Sequence, residues 1–470
     1  MAMKKNLLPL LLLFSLSAFG QWSGAVIDTL TQNTERDEIL NQSFVSDQGN
    51  TLHLISERAL TAGGWMILYF KHPSNSPWTI EDTVSIGPSY APTLAVSGQD
   101  GIPYISCTEN DTVDGEIVIY TKTGSVWTRE QITSNQEEDS SPSITIDQDG
   151  FIHVAWIWEN GSGNYKINYA TNRSGIWSIQ TIVNSQLGPF GSGASPQLAL
   201  DPTGIAHIVY RGGNFGTYRI HHAYNDSIGG AIWNFDFLST PNAEDLSSSL
   251  VVSEDTIVHA LVSGNDGFGF PTHAYYLSKS PGAISFSSAA DVANGFSAEV
   301  GSLSISNNSA SCVLNEVSGN IFTGNVIYSE ANSGWNAITL LNTQEIYNAQ
   351  MLIDQNGKGY VAAYQGNTFQ TEETIVYGPD FSTGIKNTES GIELFSCFQN
   401  NENITLNFRK SFQGIINVRD INGKITQTIE LNTNAGESKT ISMLNSASGM
   451  YLFEVLNPRE RFARKILYTN

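Results

Sequence analysis

Between Asn41 and Asp380 apolar and polar residues alternate in short runs, and the runs fall into a unit of about 50 residues that recurs seven times. The clearest copy opens Ser141-Pro142-Ser143-Ile144-Thr145-Ile146-Asp147-Gln148-Asp149-Gly150 and continues Phe151-Ile152-His153-Val154-Ala155-Trp156. Lys166-Ile167-Asn168-Tyr169-Ala170 and Gly175-Ile176-Trp177-Ser178-Ile179 complete it. Period-two alternation broken by Gly and Asp predicts four antiparallel strands per unit. Asp147–Gly150, Asp47-Gln48-Gly49, Asp100-Gly101 and Asp354–Gly357 read as hairpin turns joining first strand to second, because Gly takes positive φ without steric cost. The fourth strand carries a Trp in five units: Trp78, Trp127, Trp177, Trp233 and Trp335.

Radial repetition of four-stranded sheets is a β-propeller, so the expected fold is all-β: a seven-bladed β-propeller over 21–378. The last unit lacks its Trp-bearing strand. Gln21-Trp22-Ser23-Gly24-Ala25-Val26-Ile27 supplies that pattern at the other end, so the N-terminal strand, within 21–30, is expected to complete the seventh blade.

The ends add two modules. Lys4-Lys5, an apolar run from Leu7 to Leu16 and Ala18-Phe19-Gly20 have the layout of a signal peptide over 1–20, and the run is too short to span a bilayer. No transmembrane segment is expected. After a linker at 379–388, short strands separated by turns such as Asn422-Gly423 predict a small β-sandwich over 389–470. Val418-Arg419-Asp420-Ile421-Asn422-Gly423-Lys424, Gly449-Met450-Tyr451-Leu452-Phe453 and the closing Arg464-Lys465-Ile466-Leu467 resemble the C-terminal sorting domain of the Bacteroidetes type IX secretion system. Gly449, Tyr451 and Lys465 carry the motif. The resemblance implies export to the outer-membrane surface or the medium, with the type IX machinery as a partner.

Composition narrows the partners. Lys and Arg number 23 against 45 Asp and Glu, a formal net charge of −22 that excludes nucleic acid and anionic membranes as ligands. Three cysteines, Cys107, Cys312 and Cys397, make no disulfide framework even in an exported chain. The fold is expected to be monomeric.

Candidate chemistry sits on the loops between second and third strands and between blades, since function favours long loops on a rigid scaffold. Glu109, Trp158, Glu159, Arg211, Asn214, Glu316 and Gln365 are the expected ligand-binding residues. Carboxylates and amides beside aromatic rings such as Tyr90, Phe190, Phe215, Phe268 and Tyr347 suit a neutral glycan, although a solvated acidic face gives the same pattern. His53, His153, His207 and His259 share one column of the repeat, which points to packing and hydrogen bonding within the ring. Arg219, His221 and His222 break the repeat beside Tyr210 and Arg211, and these five form the candidate catalytic set for an enzyme acting on a uronate. Asp147-Gln148-Asp149-Gly150 matches part of a calcium loop. It lacks the further carboxylate a complete site uses, so turn chemistry is the better explanation and no cofactor is expected, with calcium at this turn as the alternative.

The repeat as a whole resembles the sialidase-type seven-bladed proteins of secreted bacterial origin. That family's Ser-x-Asp-x-Gly-x-x-Trp box is not reproduced, and the propeller has few Arg residues to grip a carboxylate. The reading is therefore an exported binding module for a glycan or surface-protein ligand rather than an enzyme. A polysaccharide lyase or glycoside hydrolase on the loop face is the alternative.

Overall fold

The computed structural model describes residues 25–31, 36–60, 64–73, 78–87, 89–110, 114–160, 165–187, 196–213, 216–267, 269–318, 321–342, 346–366, 373–379, 395–400, 403–408, 412–419, 425–434, 437–442, 449–456 and 461–468. The chain divides into two compact units, one reaching Asp380 and one that holds Phe381–Asn470.

The first unit is a seven-bladed propeller, each blade an antiparallel sheet. Blade 1 runs from Asp37–Glu38 and Phe44–Ser46, through Leu52–Ala59 and Trp65–His72, to Thr79–Gly87. Blade 2 comprises Ser89–Val96, Pro103–Asn110, Gly115–Thr123 and Val126–Gln131; blade 3 comprises Glu138–Ile146, Ile152–Glu159, Tyr165–Thr171 and Ser178–Leu187. Blade 4 is Gln197–Leu200, Ala206–Gly212, Arg219–Asn225 and Trp233–Phe237; blade 5 is Glu244–Val252, Val258–Asn265, His273–Lys279 and the two-residue Ala290–Asp291. Blade 6 holds Ala298–Ser306, Ser309–Ser318, Ile321–Glu330 and Ile338–Asn342.

Blade 7 takes three strands from Ile346–Ile353, Gly359–Gln365 and Glu373–Pro379, and its outermost strand from the other end of the propeller, Ala25–Thr29. Ala25 pairs with Pro379 and Thr29 with Ile375, antiparallel. The Thr374 N–H donates to Thr31 Oγ1 at 2.8 Å and fixes the register where the strand ends.

The recurring Asp and His of the sequence are the joints of this ring. Asp47, Asp147, Asp201 and Asp354 each accept, through Oδ1, backbone N–H groups two and four residues later at 2.8–3.0 Å, which closes the hairpin on the carboxylate. The next strand's His then bonds a third-strand Tyr hydroxyl: His53 to Tyr69 at 2.6 Å, His153 to Tyr169 at 2.5 Å and His259 to Tyr276 at 2.6 Å. Trp127, Trp233 and Trp335 of the following blades pack on those Tyr rings at 4.8–5.3 Å between centroids. Three indole N–H groups also reach back to the preceding blade's outer strand, Trp127 to Asp82, Trp177 to Glu130 and Trp233 to Gln180, at 2.8–3.0 Å. The column of histidines therefore serves the structure of every blade that has one.

Apolar cores fill the spaces between blades, as with Ile55, Ile67, Tyr69, Leu94, Ile105, Cys107 and Val118 between blades 1 and 2. Burial of Cys107 and Cys312 as free thiols follows from this packing. Inner strands kink at a recurrent register shift, between Tyr90 and Thr93, Ser140 and Ser143, Asp245 and Ser247, Val300 and Ser302, and Tyr347 and Gln350. Gln42, Ala91, Ser141 and Asn348 take positive φ of 50–57° at these bends. The inner strands of all the blades line a central cavity of about 390 Å³.

The second unit has two antiparallel sheets. One orders Phe395–Asn400, Asn403–Phe408 and Ser438–Ser442; the other orders Ile425–Thr433, Phe412–Arg419, Gly449–Leu456 and Arg461–Tyr468. Leu406, Ile416, Val418 and Ile441 are buried. In the closing hairpin Gly449 pairs with Tyr468, Tyr451 with Ile466 and Lys465 with Leu452. Among the described residues no helix is long and apolar enough to cross a membrane.

Candidate functional site

Strand direction divides the propeller's two ends. The Asp-led hairpins gather at one end, and the second-to-third and blade-to-blade connections at the other, here called the loop end. Each residue expected to bind ligand has its place in this frame, except Asn214, which with Phe190, Phe215 and Phe268 lies outside the described residues.

Glu109 is engaged within blade 2, accepting from Ser89 Oγ at 3.1 Å, Tyr120 OH at 2.5 Å and Arg129 Nε at 2.8 Å. Glu316 accepts from Thr323 Oγ1 at 2.6 Å and Asn325 Nδ2 at 2.8 Å, which ties down the hairpin of blade 6. The Trp158 indole carries the Lys166 ammonium 3.9 Å from its ring centroid, and Glu159 pairs with Glu138 across the sheet. Gln365 is half-buried at the start of the connection that follows Tyr364. These residues line the loop end without converging on one point.

The five residues of the candidate catalytic set divide between the two faces of blade 4. Tyr210 and His221 are directly opposed in the sheet, their rings 5.3 Å apart, and Tyr210 packs with Ala155, Ile157 and Tyr169 of blade 3. Arg211 and His222 face blade 5: Arg211 Nη1 donates to the Leu246 carbonyl at 3.2 Å, and His222 meets Phe286 edge-on. Arg219 Nη1 donates to the Tyr218 and Ala243 carbonyls. Period-two alternation sends neighbours such as His221 and His222 to opposite faces, so adjacency along a strand separates these side chains. Burial holds both imidazoles below the usual histidine range, His222 at about 4.

Two other groups at the loop end break the repeat. The first is aromatic and crosses three blades. Tyr364 and Tyr347 of blade 7 lie 5.5 Å apart, Phe322 of blade 6 meets Tyr347 edge-on at 6.4 Å, and Phe270 of blade 5 meets Phe322 edge-on at 5.4 Å. Phe270 is 37% exposed and the other three are half-buried, so the run keeps ring surface in solvent. Only Tyr347 was expected here. Phe270 and Tyr364 give a sequence signal too, as aromatics flanking second-to-third connections.

The second group is acidic and links blades 1 to 3. Tyr90 OH donates to Glu138 Oε1 at 2.6 Å, and the Gly115 N–H donates to Glu138 Oε2 at 3.0 Å. Glu57 lies close enough to raise the Tyr90 phenol, and its own Oε1 is buried without a partner. Burial first, and the Glu38 charge second, push the Glu57 carboxyl up to about 8. Burial likewise raises Glu299 to about 7 and Asp139 to about 6, the latter against hydrogen bonds from Asn135 and Trp156.

Among the described residues no cluster of three or more His, Cys, Asp or Glu is placed to hold a metal ion. The Asp147 carboxylate, the anchor of the calcium-like turn, is occupied by two backbone N–H groups, His153 and Arg173.

Comparison with known proteins fits this architecture. Residues 399–469 match the family described as the secretion system C-terminal sorting domain. The chain is thus a secreted or cell-surface protein, a seven-bladed propeller followed by a type IX sorting tail. No curated protein matches it. Among solved structures it is similar to the polysaccharide lyase Uly1, with 10% identity, a TM-score of 0.48 and coverage of 73% of this chain and 90% of that one. It is similar to an α-L-arabinanase of Penicillium chrysogenum complexed with arabinobiose, with 12% identity, a TM-score of 0.42 and coverage of 75% and 99%. It is also similar to the fucose-recognising, six-bladed lectin of Aleuria aurantia, with 15% identity, a TM-score of 0.41 and coverage of 67% and 97%. Likeness of this degree carries no argument about activity.

Proposed function

We propose that the propeller is a glycan-binding module displayed at or released from the cell surface, with its ligand site at the loop end. The observation that supports this reading is the aromatic run Phe270–Phe322–Tyr347–Tyr364. Sugar rings present apolar faces that stack on aromatic side chains, while their hydroxyls need fixed acceptors and donors nearby. Half-buried Gln365 and Glu299 supply such groups on blades 7 and 6. The chain's charge favours neutral over anionic glycans. Export starts from the signal segment 1–20 and ends with the sorting domain at 389–470, joined to the propeller by the linker 379–388.

A panel of neutral polysaccharides, presented to the full-length protein on an array, tests the reading. Binding that falls at least tenfold in both Tyr347→Ala and Phe322→Ala, roughly 1.4 kcal/mol or more, supports it. Binding unchanged in both variants removes the aromatic run from the site.

A second reading, a polysaccharide-degrading enzyme, is favoured by the acidic group. Glu57 stays protonated near neutral pH, while Glu138 accepts hydrogen bonds from Tyr90 and Gly115, and acid-base chemistry uses carboxyl groups in such unlike surroundings. Release of reducing ends or unsaturated products by the wild type, and loss of that release in Glu57→Gln, would establish it. Turnover unaffected by the substitution would remove Glu57 from the chemistry.

A further inference from the structure

The junction of blades 4 and 5 is where the Asp–His–Tyr–Trp joint is rewritten. The third-strand position that holds Tyr69, Tyr169 and Tyr276 elsewhere holds His222 in blade 4. His222 Nε2 lies 3.0 Å from His207 Nδ1, and the ring planes are parallel within 1° with centroids 5.2 Å apart. Parallel rings so far apart at their centres, with nitrogens at that distance, meet edge to edge through an N–H···N bond. The next blade packs Phe286, not Trp, against His222, at 5.4 Å. A cleft of about 490 Å³ opens beside this smaller contact, at the hairpin end, lined by His207, His222, Tyr224, Asn225, Lys279 and Ile284.

A chain runs from Asp236 Oδ2 to His222 Nδ1 at 3.4 Å, on through the imidazole pair, and from His207 Nε2 to Asp201 Oδ2 at 3.9 Å. His207 Nε2 faces the Asp201 carboxylate across the widest of these three gaps. A separation of 3.9 Å is too long for a direct bond and suits one bridging oxygen. Asn225, 1% exposed, has an unpartnered Nδ2 in the same cleft, its Oδ1 already taking the Ala206 N–H at 2.7 Å. His207 Nε2 is likewise buried and unpartnered. A hydroxyl both donates and accepts, so it can bridge His207 Nε2 and the Asp201 carboxylate and take the Asn225 Nδ2 proton as a hydrogen bond.

Asp201 and Asp226 line the cleft and Lys279 is committed to Asp236, so an anionic ligand is disfavoured, while Ile284 and Val258 offer apolar contact. We propose that this cleft is a second ligand site, specific for a small neutral polyol of monosaccharide size, which places one hydroxyl among His207, Asp201 and Asn225. It lies at the opposite end of the strands from the aromatic run and stands or falls separately from the loop-end reading.

Long-range ¹H–¹⁵N spectra of the full-length protein report the imidazole nitrogens directly. The probes are glucose, galactose, mannose, xylose and inositol, with glucuronate as the anionic control. Saturable shifts of His207 and His222 with at least one neutral probe, and none with glucuronate, are expected. Asn225→Asp keeps the acceptor for Ala206 but removes the donor, and Ile284→Trp fills the cleft from a position 94% exposed. Each should weaken binding about tenfold or more, whereas Tyr347→Ala should leave the shifts intact. Silence from every neutral probe, or equal binding in both cleft variants, overturns the proposal.

Discussion

Gln42 of blade 1 and Ser143 of blade 3 meet across the central channel, the Ser143 hydroxyl donating to Gln42 Oε1 at 2.6 Å. Gln42 Nε2 continues to the Leu198 carbonyl of blade 4 at 3.3 Å, and Ser143 Oγ accepts the Leu198 N–H at 2.8 Å. Three blades that are not all neighbours in the ring are thereby tied through one amide. The same level of the channel is stitched by Ser302, which accepts the Met351 N–H, and by Ser249, which accepts that of Leu303.

Gln42→Ala should consequently destabilise the ring. Losing the amide leaves the Leu198 carbonyl and Ser143 hydroxyl short of a partner, a cost of about 1–3 kcal/mol. A denaturant midpoint that does not move would show the bridge to be energetically idle.

Protonation of the buried histidines should cost the propeller stability in mild acid. Burial holds His222 and His259 at about 4 and lowers His153 and His221, so the folded state requires neutral imidazoles. Folded values below the unfolded one give stability that is complete above about pH 6.5 and lost as pH falls towards 4. The shift of His222 is worth about 3 kcal/mol across that window, and that of the less deeply buried His259 is worth less. The buried carboxyls of Glu57, Glu299 and Asp139 oppose this trend, so the melting temperature of His259→Gln is compared with that of the wild type at pH 7, 5.5 and 4.5, and a difference that does not change with pH would contradict the sign.

Glu57 works in the other direction. Its carboxyl, raised to about 8, is bound protonated by the fold and ionises freely once unfolded, so it costs stability increasingly as pH rises from about 4.5 to 8. Glu57→Gln should raise the melting temperature at pH 8.5 and change it little at pH 4.5. Equal effects at both pH values would mean that Glu57 ionises normally.

Removal of residues 399–469 should leave the propeller inside the cell envelope, because those residues carry the sorting domain. Fractionation of a native-type host distinguishes retention from release, and undiminished export would assign the signal to another segment.

The blades were legible in the sequence because their joints are local: each leading Asp caps a turn two and four residues away, and His53, His153 and His207 each follow six residues after one, as in Asp147 and His153. The sorting tail was legible for a similar reason, through short motifs within one segment. The aromatic run was not, since Phe270, Phe322, Tyr347 and Tyr364 come from three blades and converge only when the ring closes. Gln42 was hidden for another cause: its reach depends on a positive φ of 57° that no residue type announces. The candidate catalytic set was read from a break in the repeat, and strand alternation sends Tyr210 and His221 to one face of blade 4 and Arg211 and His222 to the other.

Ring closure through Ala25–Thr29 sets a schedule for the chain. That strand must wait for Ile375–Pro379, some 350 residues later, before its backbone groups find partners. Its pairing has the largest sequence separation in the propeller and belongs among the last contacts to form. A chain trimmed past Ala25–Thr29 would leave Glu373–Pro379 as a bare outer edge of blade 7, while Gln350 to Asn41 and Gln355 to Asn50 would still tie that blade to blade 1. The latch therefore shields an edge that the rest of the chain has no strand left to cover.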